Sequence, residues 1–300
     1  AEIGEMIALA NQIRNYPKEY CESCRGKIMA TLFYEPSTRT KMSFQTAMLR
    51  LGGEIIGFDN PQSSSVSKGE SLKDTVTVVS GYADILVVRH PLEGAAEAAA
   101  MYSRVPVINA GDGGHLHPTQ TLTDLVTLYN EKGRLDNLCI GLCGDLKYGR
   151  TVHSLIKTMT RYHNNSFVLI STPELALPNY VKDIMNAAGC KYVEVSSLSE
   201  AMPMLDVLYM TRIQQERFAT REQYEAQKGV YVLDREKLNM GKRDLKVLHP
   251  LPRVDEITPD VDEDPRAAYF EQVQNGVYVR MALIMTLLGL ADPKAPKEEN

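Results

Sequence analysis

No part of this 300-residue sequence approaches the roughly 18 consecutive apolar residues of a membrane-spanning helix. The first residues also lack the basic-then-apolar layout of a secretory signal, so no membrane partner and a cytoplasmic location are the expectation. Positive charge is not in excess. A formal net charge of -5 argues against a general affinity for nucleic acid, so any anion site has to be built from a few aimed cations. Five cysteines are an odd number for a disulfide framework. The pair Cys21 and Cys24 and the pair Cys139 and Cys143 have spacings that invite a zinc reading. Cys139 and Cys143, however, lie inside an apolar run and should point into a core, so structural or incidental free thiols and no metal are expected. A Gly-x-Gly-x-x-Gly fingerprint is missing as well. Gly141 and Gly144 follow a strand-like run without that spacing, which weakens a dinucleotide-binding reading. No Ser–His or Cys–His arrangement suggests a covalent nucleophile, and no repeat recurs at a fixed period.

What is present is an ordinary globular composition, 44% hydrophobic and 24% charged, in a chain long enough for about two domains of roughly 150 residues each. Strand-like apolar runs at 28–34, 53–59, 83–90 and 105–111 alternate with helical stretches. A second set follows at 138–145, 166–172, 192–197, 207–213 and 245–250. This alternation predicts an α/β protein of two domains, each a mostly parallel sheet flanked by helices. Residues 1–18 read as an amphipathic helix with Ile7, Leu9, Ile13 and Tyr16 near helical spacing, broken by Pro17. Residues 117–133 read as a long helix bridging the two halves, with Pro118 in its first turn and Gly133 at its end. The stretch 277–290 is apolar enough for a buried helix, and the polar tail 291–300 is expected to be disordered.

The segment FYEPSTRT at 33–40 joins a buried strand to a helix whose apolar residues Met42, Phe44, Met48 and Leu51 recur near helical spacing, closed by Gly52 and Gly53. Ser37 is placed to cap that helix. The amides of Thr38, Arg39 and Thr40 then fall in a first turn that favours an anion, with hydroxyls and a guanidinium beside them. Plain helix capping is the competing reading. Arg89, Arg150 and Arg212 lie at or just past the C-terminal ends of apolar runs, the edge where open α/β sheets bind ligands. An arginine there is costly to desolvate unless it meets an anion, although an internal ion pair would serve any one of them equally well.

The string at 33–40 resembles the carbamoyl-phosphate signature of the aspartate and ornithine carbamoyltransferases. The strings RHP at 89–91, HPTQ at 117–120, GDLKYGRT at 144–151, YMTRIQ at 209–214 and HPLPR at 249–253 are similar to that family's signatures in the family's order. The resemblance covers essentially the whole chain. Ornithine enzymes carry a cysteine where this chain has Pro250, which points to the aspartate branch.

The resemblance implies a carbamoyl-phosphate-binding domain at 1–132, an aspartate-binding domain at 133–274, and a C-terminal helix 275–290 that packs back on the first domain. It assigns carbamoyl phosphate to Ser37, Thr38, Arg39, Thr40, Arg89, His117 and Gln120. Aspartate falls to Lys68, Arg150, Arg212, Gln214 and the backbone around Pro250 and Leu251. The catalytic set is Arg39, Thr40, Lys68, Arg89 and His117, with no cofactor. Ser64 and Lys68, in a loop that composition alone reads as a solvated linker, match positions that the family lends to a neighbouring subunit. A homotrimer is therefore implied, and regulatory chains or fusion partners stay open. The implied reaction is carbamoyl transfer from carbamoyl phosphate to the α-amine of L-aspartate, early in pyrimidine biosynthesis. The alternatives are ornithine or another amino-acid carbamoyltransferase and, from a different class, a catalytically inactive nucleotide-binding or scaffold paralogue.

Overall fold

The computed structural model describes residues 2–113 and 117–291, so nearly all of the tail expected to be disordered lies outside the described residues. The chain divides into two compact units. One gathers the residues up to Leu122 and those from Gln274 onward; the other is Thr123–Val273. The division falls within two helices, Pro118–Lys132 and Tyr269–Leu287.

The first unit holds strands β1 (Ile28–Phe33), β2 (Glu54–Phe58), β3 (Ile85–His90) and β4 (Val107–Asp112), all parallel, in the order β2-β1-β3-β4. The central strands β1 and β3 are buried almost end to end, as apolar runs in a parallel sheet covered on both faces must be, while edge strand β2 is half open to solvent. Ala30, Leu32, Leu86 and Val88 pack with Val76 of the helix Leu72–Val79 and Ala99 of the helix Ala95–Tyr102. The helix Thr38–Arg50 buries Phe44, Ala47 and Met48, and its C-terminal turn closes on Gly52 at φ 78. Arg280, late in the helix Tyr269–Leu287, lies over the Phe44 ring at 5.0 Å and donates to Ser43 Oγ at 3.1 Å.

Two local expectations need correction. Of the apolar residues assigned to the first helix, Glu2–Asn15, Ile7 and Ile13 are buried but Leu9 is half-buried and Tyr16 is exposed. Pro17 does not simply break a helix; it opens a further short one, Pro17–Tyr20, where its missing N–H costs nothing.

The second unit holds β5 (Cys139–Cys143), β6 (Ser166–Ile170), β7 (Lys191–Val195), β8 (Val207–Met210) and β9 (Lys246–Leu248), again all parallel, in the order β7-β6-β5-β8-β9. Cys143 belongs to its buried core with Val168, Leu208 and Met210, and Cys139 packs against it. Burial pushes both thiols above their usual range, which makes them poor nucleophiles and poor metal ligands.

Both sheets reverse their strand order once. The chain leaves β1 for β2 on one side and returns to β3 on the other; it leaves β5 for β6 and β7 and returns to β8. At the carboxyl end of the first pair, the Tyr34 N–H donates to the Arg89 carbonyl at 2.8 Å. At the second, Thr211 N–H donates to Cys143 O at 2.9 Å and its hydroxyl accepts from Asp145 N–H at 3.0 Å. Gly144 sits between them at φ 113, and a Cβ there would lie 2.5 Å from Thr211 O, so this approach requires glycine.

Beyond β9, Arg266 grips Asp264 through two contacts of 2.8 and 2.9 Å and donates to Leu238 O at 2.8 Å, which ties this segment to the helix Arg235–Met240. The Arg266 hydrogen bond outweighs burial and holds the Asp264 carboxyl down at about 2. Its folded value lies below the unfolded one of about 3.9, so the stabilisation is complete above that pH and drains as pH falls through the folded value. Asp264→Asn should lower the unfolding free energy at neutral pH by about 1 kcal/mol, after discounting for solvent screening. In urea titrations its stability should fall less steeply than the parent's from about pH 4 downward; equal slopes would remove this pair from the acid response.

Candidate active site

Several candidate residues lie at the carboxyl edge of a strand pair where the order reverses: residues 33–40 and Arg89 in the first unit, and Arg150, Arg212 and Gln214 in the second. That is where an open α/β sheet leaves a crevice for ligands.

In the first unit, Ser37 occupies the N-cap position of the helix Thr38–Arg50, but its side chain makes no capping hydrogen bond. Its hydroxyl is therefore not spent on the helix, contrary to the plain capping reading. Thr38 and Arg39 are exposed and Thr40 is half-buried, so the first turn faces outward with its amides. Arg89, at the end of β3, is 8% exposed and held on three sides. It donates to Ala110 O at 3.2 Å, pairs with Glu35 Oε1 at 2.5 Å and approaches His117 Nε2 at 3.5 Å. A guanidinium has no acceptor, so in the last contact the imidazole nitrogen accepts. His117 is 6% exposed and precedes the helix Pro118–Lys132, with its carbonyl accepting from Gln120 N at 3.0 Å. The structure thus brings Arg89 and His117 together and sets Gln120 on the next turn.

Among the described residues, neither Lys68 nor Ser64 hydrogen-bonds to this cluster. The loop folds into two short turns, Pro61–Ser63 and Ser65–Lys68. Ser64 Oγ is engaged locally, accepting from Val66 N at 3.3 Å and donating to Pro61 O at 2.8 Å, while Lys68 is exposed.

Glu35 was not singled out from the sequence, although it lies inside the signature at 33–40. It supplies the carboxylate that makes burial of Arg89 affordable. Arg280 was missed as well; it reaches Thr119 Oγ1 at 3.5 Å and Ser43 Oγ at 3.1 Å, buttressing the helices that carry Thr40 and Gln120. Nothing in a mostly apolar helical stretch marks that arginine. His90 has a shaping role: Nδ1 accepts from Leu92 N at 3.0 Å, and burial pushes its pKa down.

In the second unit, Arg150 opens the helix Arg150–Met159, and β8 ends at Met210, so Arg212 and Gln214 stand in the loop beyond it. Asp145, fully buried, collects this loop. It accepts from Tyr148 N at 2.9 Å and from Gln214 Nε2 at 3.3 Å, while burial pushes its carboxyl up against those hydrogen bonds. Arg212 is held by Glu216 in a bidentate pair of 3.1 and 2.6 Å, which raises the arginine's pKa and lowers the glutamate's. A crevice beside them is lined by Gly144, Thr211, Arg212, Tyr224, Lys228 and Glu256. Pro250 and Leu251 follow β9 and are half-buried. Among the described residues no group of three His, Cys, Asp or Glu side chains is arranged to hold a metal ion.

Residues 1–130 match the model for the carbamoyl-P binding domain of aspartate/ornithine carbamoyltransferase, and residues 136–287 match that for the Asp/Orn binding domain. The aspartate carbamoyltransferase catalytic subunit of Clostridium perfringens is 60% identical over 97% of this chain and 95% of its own length. The catalytic subunit of M. jannaschii aspartate transcarbamoylase superposes with a TM-score of 0.90 at 50% identity, covering 96% of this chain and 94% of that one. The aspartate transcarbamoylase of Trypanosoma cruzi, solved in complex with N-(phosphonacetyl)-L-aspartic acid, gives a TM-score of 0.89 at 39% identity, over 96% of this chain and 92% of that one. With both units matched and the signature arginines at the reversal points of both sheets, the chain belongs to the aspartate/ornithine carbamoyltransferase family.

Proposed function

We propose that this protein transfers the carbamoyl group of carbamoyl phosphate to the α-amine of L-aspartate, giving N-carbamoyl-L-aspartate and phosphate. The observation that carries the reading is the doubling of the anion edge: each parallel sheet reverses its order where arginine and amide groups are displayed, with the His117 imidazole beside the first. Two anionic substrates need two such sets. Pro250 favours aspartate over ornithine, and the relatives carry the aspartate enzyme's name. The reaction is the committed kind of step that feeds pyrimidine synthesis, and the cytoplasm is the setting that fits it.

The roles follow from the chemistry of each group. Amides and side chains of Ser37, Thr38, Arg39 and Thr40 take the phosphate, joined by Arg89. His117 and Gln120 address the carbamoyl end. Arg150, Arg212, Gln214 and the carbonyls of Pro250 and Leu251 take aspartate. The residues up to 132 with the C-terminal segment 275–290, most of which lies in the helix Tyr269–Leu287, serve the first substrate and 133–274 the second.

Carbamoyl phosphate is already activated, so no covalent intermediate is needed. The deprotonated amine attacks the carbonyl carbon, a tetrahedral oxyanion forms, and the C–O bond to phosphate breaks as the leaving group takes the amine's proton. Thr40, Arg89 and His117 stabilise the oxyanion, each donor contributing about 3 to 4 kcal/mol in comparable sites. Holding both substrates at once supplies the proximity effect.

Release of phosphate from carbamoyl phosphate should depend on added aspartate and not on ornithine; the reverse preference would reject the reading. His117→Ala should lower kcat by roughly 100- to 1,000-fold with little change in carbamoyl phosphate KM, since the lost bond strengthens in the transition state. Arg212→Ala should raise the aspartate KM by about tenfold or more while carbamoyl phosphate still binds. An aspartate KM left unchanged, with carbamoyl phosphate affinity lost instead, would exchange the two assignments.

Lys68 supports an assembly. An exposed lysine with no hydrogen bond to the Arg89–His117 cluster can serve the reaction from a neighbouring copy, and a head-to-tail contact that closes at three gives a homotrimer with composite sites. Lys68→Ala and Arg39→Ala proteins, each inactive alone, should regain activity when dissociated, mixed and reassociated. Full activity of Lys68→Ala alone, or no recovery on mixing, would remove the composite site.

A further inference from the structure

We infer that His249 is a positioning residue for the aspartate half-site: its neutral imidazole, clamped by Glu256, sets the backbone of Pro250 and Leu251 in the conformation that meets the substrate. The inference rests on the proposed function and goes beyond it, since neither His249 nor Glu256 touches substrate in that reading.

Leu251 stands at φ 55, in the left-handed region that a residue with a Cβ seldom adopts. Such a residue persists where its surroundings over-determine it. Here the Leu251 N–H donates to His249 Nδ1 at 2.7 Å. That contact leaves no room for a proton on Nδ1, so the ring proton sits on Nε2 and donates to Glu256 Oε1 at 2.6 Å. His249 is 1% exposed and Glu256 5%. The second oxygen of Glu256 accepts from the N–H groups of Val254 and Asp255 at 3.0 and 3.1 Å. Burial works against ionisation of Glu256, yet these hydrogen bonds prevail and its carboxyl stays below the usual range.

The clamp is anchored behind as well as in front. The His249 N–H donates to Gln272 Oε1 at 2.9 Å, Gln272 Nε2 donates to Asp124 Oδ1 at 2.7 Å, and the Tyr209 hydroxyl donates to Asp124 Oδ2 at 2.9 Å. Asp124, Gln272 and Tyr209 are all buried. Along this chain of hydrogen bonds Gln272 and Tyr209 both donate to Asp124, so the glutamine amide has one orientation, while the imidazole tautomer is set by the Leu251 N–H. Its far end is the loop bearing Leu251, and Glu256 itself lines the crevice that contains Arg212.

The directionality yields a test that a merely supportive packing role would not pass. In His249→Asn the amide oxygen stands near the former Nδ1 and can still accept from Leu251, whereas in His249→Gln the amide nitrogen stands near the former Nε2 and that acceptor is lost. Glu256→Gln places an NH2 group against either the imidazole N–H or the two backbone N–H groups. Steady-state kinetics on the full-length chain should give an aspartate KM raised about tenfold or more in His249→Gln and Glu256→Gln, the effect of one orphaned buried donor. In His249→Asn it should rise far less, and carbamoyl phosphate KM should stay near the parent's in all three. Equal effects of the Asn and Gln substitutions, or parallel loss in both substrates, would overturn the inference. Should the variants fail to fold, 15N spectra of the parent decide: an Nε2–H tautomer of His249 supports the clamp and an Nδ1–H tautomer overturns it. A parent that carbamoylates no aspartate would instead reject the underlying function, before any variant is made.

Discussion

The reversal of strand order in each parallel sheet is the constraint on which everything else rests. Parallel strands must be joined by crossovers, and where successive crossovers run to opposite sides, the two central strands end with no connection covering them. The chain has to leave both ends in sharp turns, and those turns expose amides and polar side chains. Residues 33–40 and Arg89 occupy that place in one sheet; residues 144–150 and 211–214 occupy it in the other. Gly144 shows how tight the requirement is, since the end of β5 approaches Thr211 too closely for any side chain.

Cations at such edges bring an electrostatic cost of their own. Arg89 is almost fully enclosed, and Arg212 is partly so; each is met by a carboxylate close by, Glu35 and Glu216. A buried guanidinium left alone would be strongly unfavourable, and the paired acid also fixes the direction of its fork. The opposite arrangement serves Asp145, a buried acid that gathers a backbone N–H and the Gln214 amide in place of a cation. Its carboxyl is pushed up, while those of Glu216 and Glu256 are pulled down, so neighbouring acids differ because their partners differ.

Much of this was legible in the sequence because it is local. The βα alternation follows from apolar runs and their punctuation, and the signature at 33–40 carries its own strand, turn and helix. The helix ends at Pro118 and Gly133 obey backbone chemistry that any reader can apply. The pairing of Arg212 with Glu216 was also within reach, being a one-turn spacing, but Arg212 lies in a loop and Glu216 in a 3-10 turn that no periodicity announces. What escaped depends on distance in space. Glu35 finds Arg89 because β1 and β3 are register neighbours, a fact of tertiary pairing. The left-handed Leu251 and the clamp of His249 and Glu256 are invisible for the same reason: a leucine gives no sign of an unusual φ, and a histidine followed by proline reads as an ordinary loop. Tyr16 went the other way, an apolar-looking position that local spacing assigned inward and that packing left outside.

The division of the chain has an outcome for how the protein is made. The unit Thr123–Val273 is continuous, whereas the other is assembled from residues up to Leu122 and from Gln274 onward. During synthesis the first four strands therefore emerge without the helix whose Arg280 braces Ser43 and Phe44. The middle segment has everything it needs to close its core while still tethered, but the earlier one must wait for the last turns of the chain and then form contacts across the longest separations in sequence. Ribosomal order thus runs against positional order: the part translated first is the part completed last, and its sheet stands without the helix Tyr269–Leu287 in the interval.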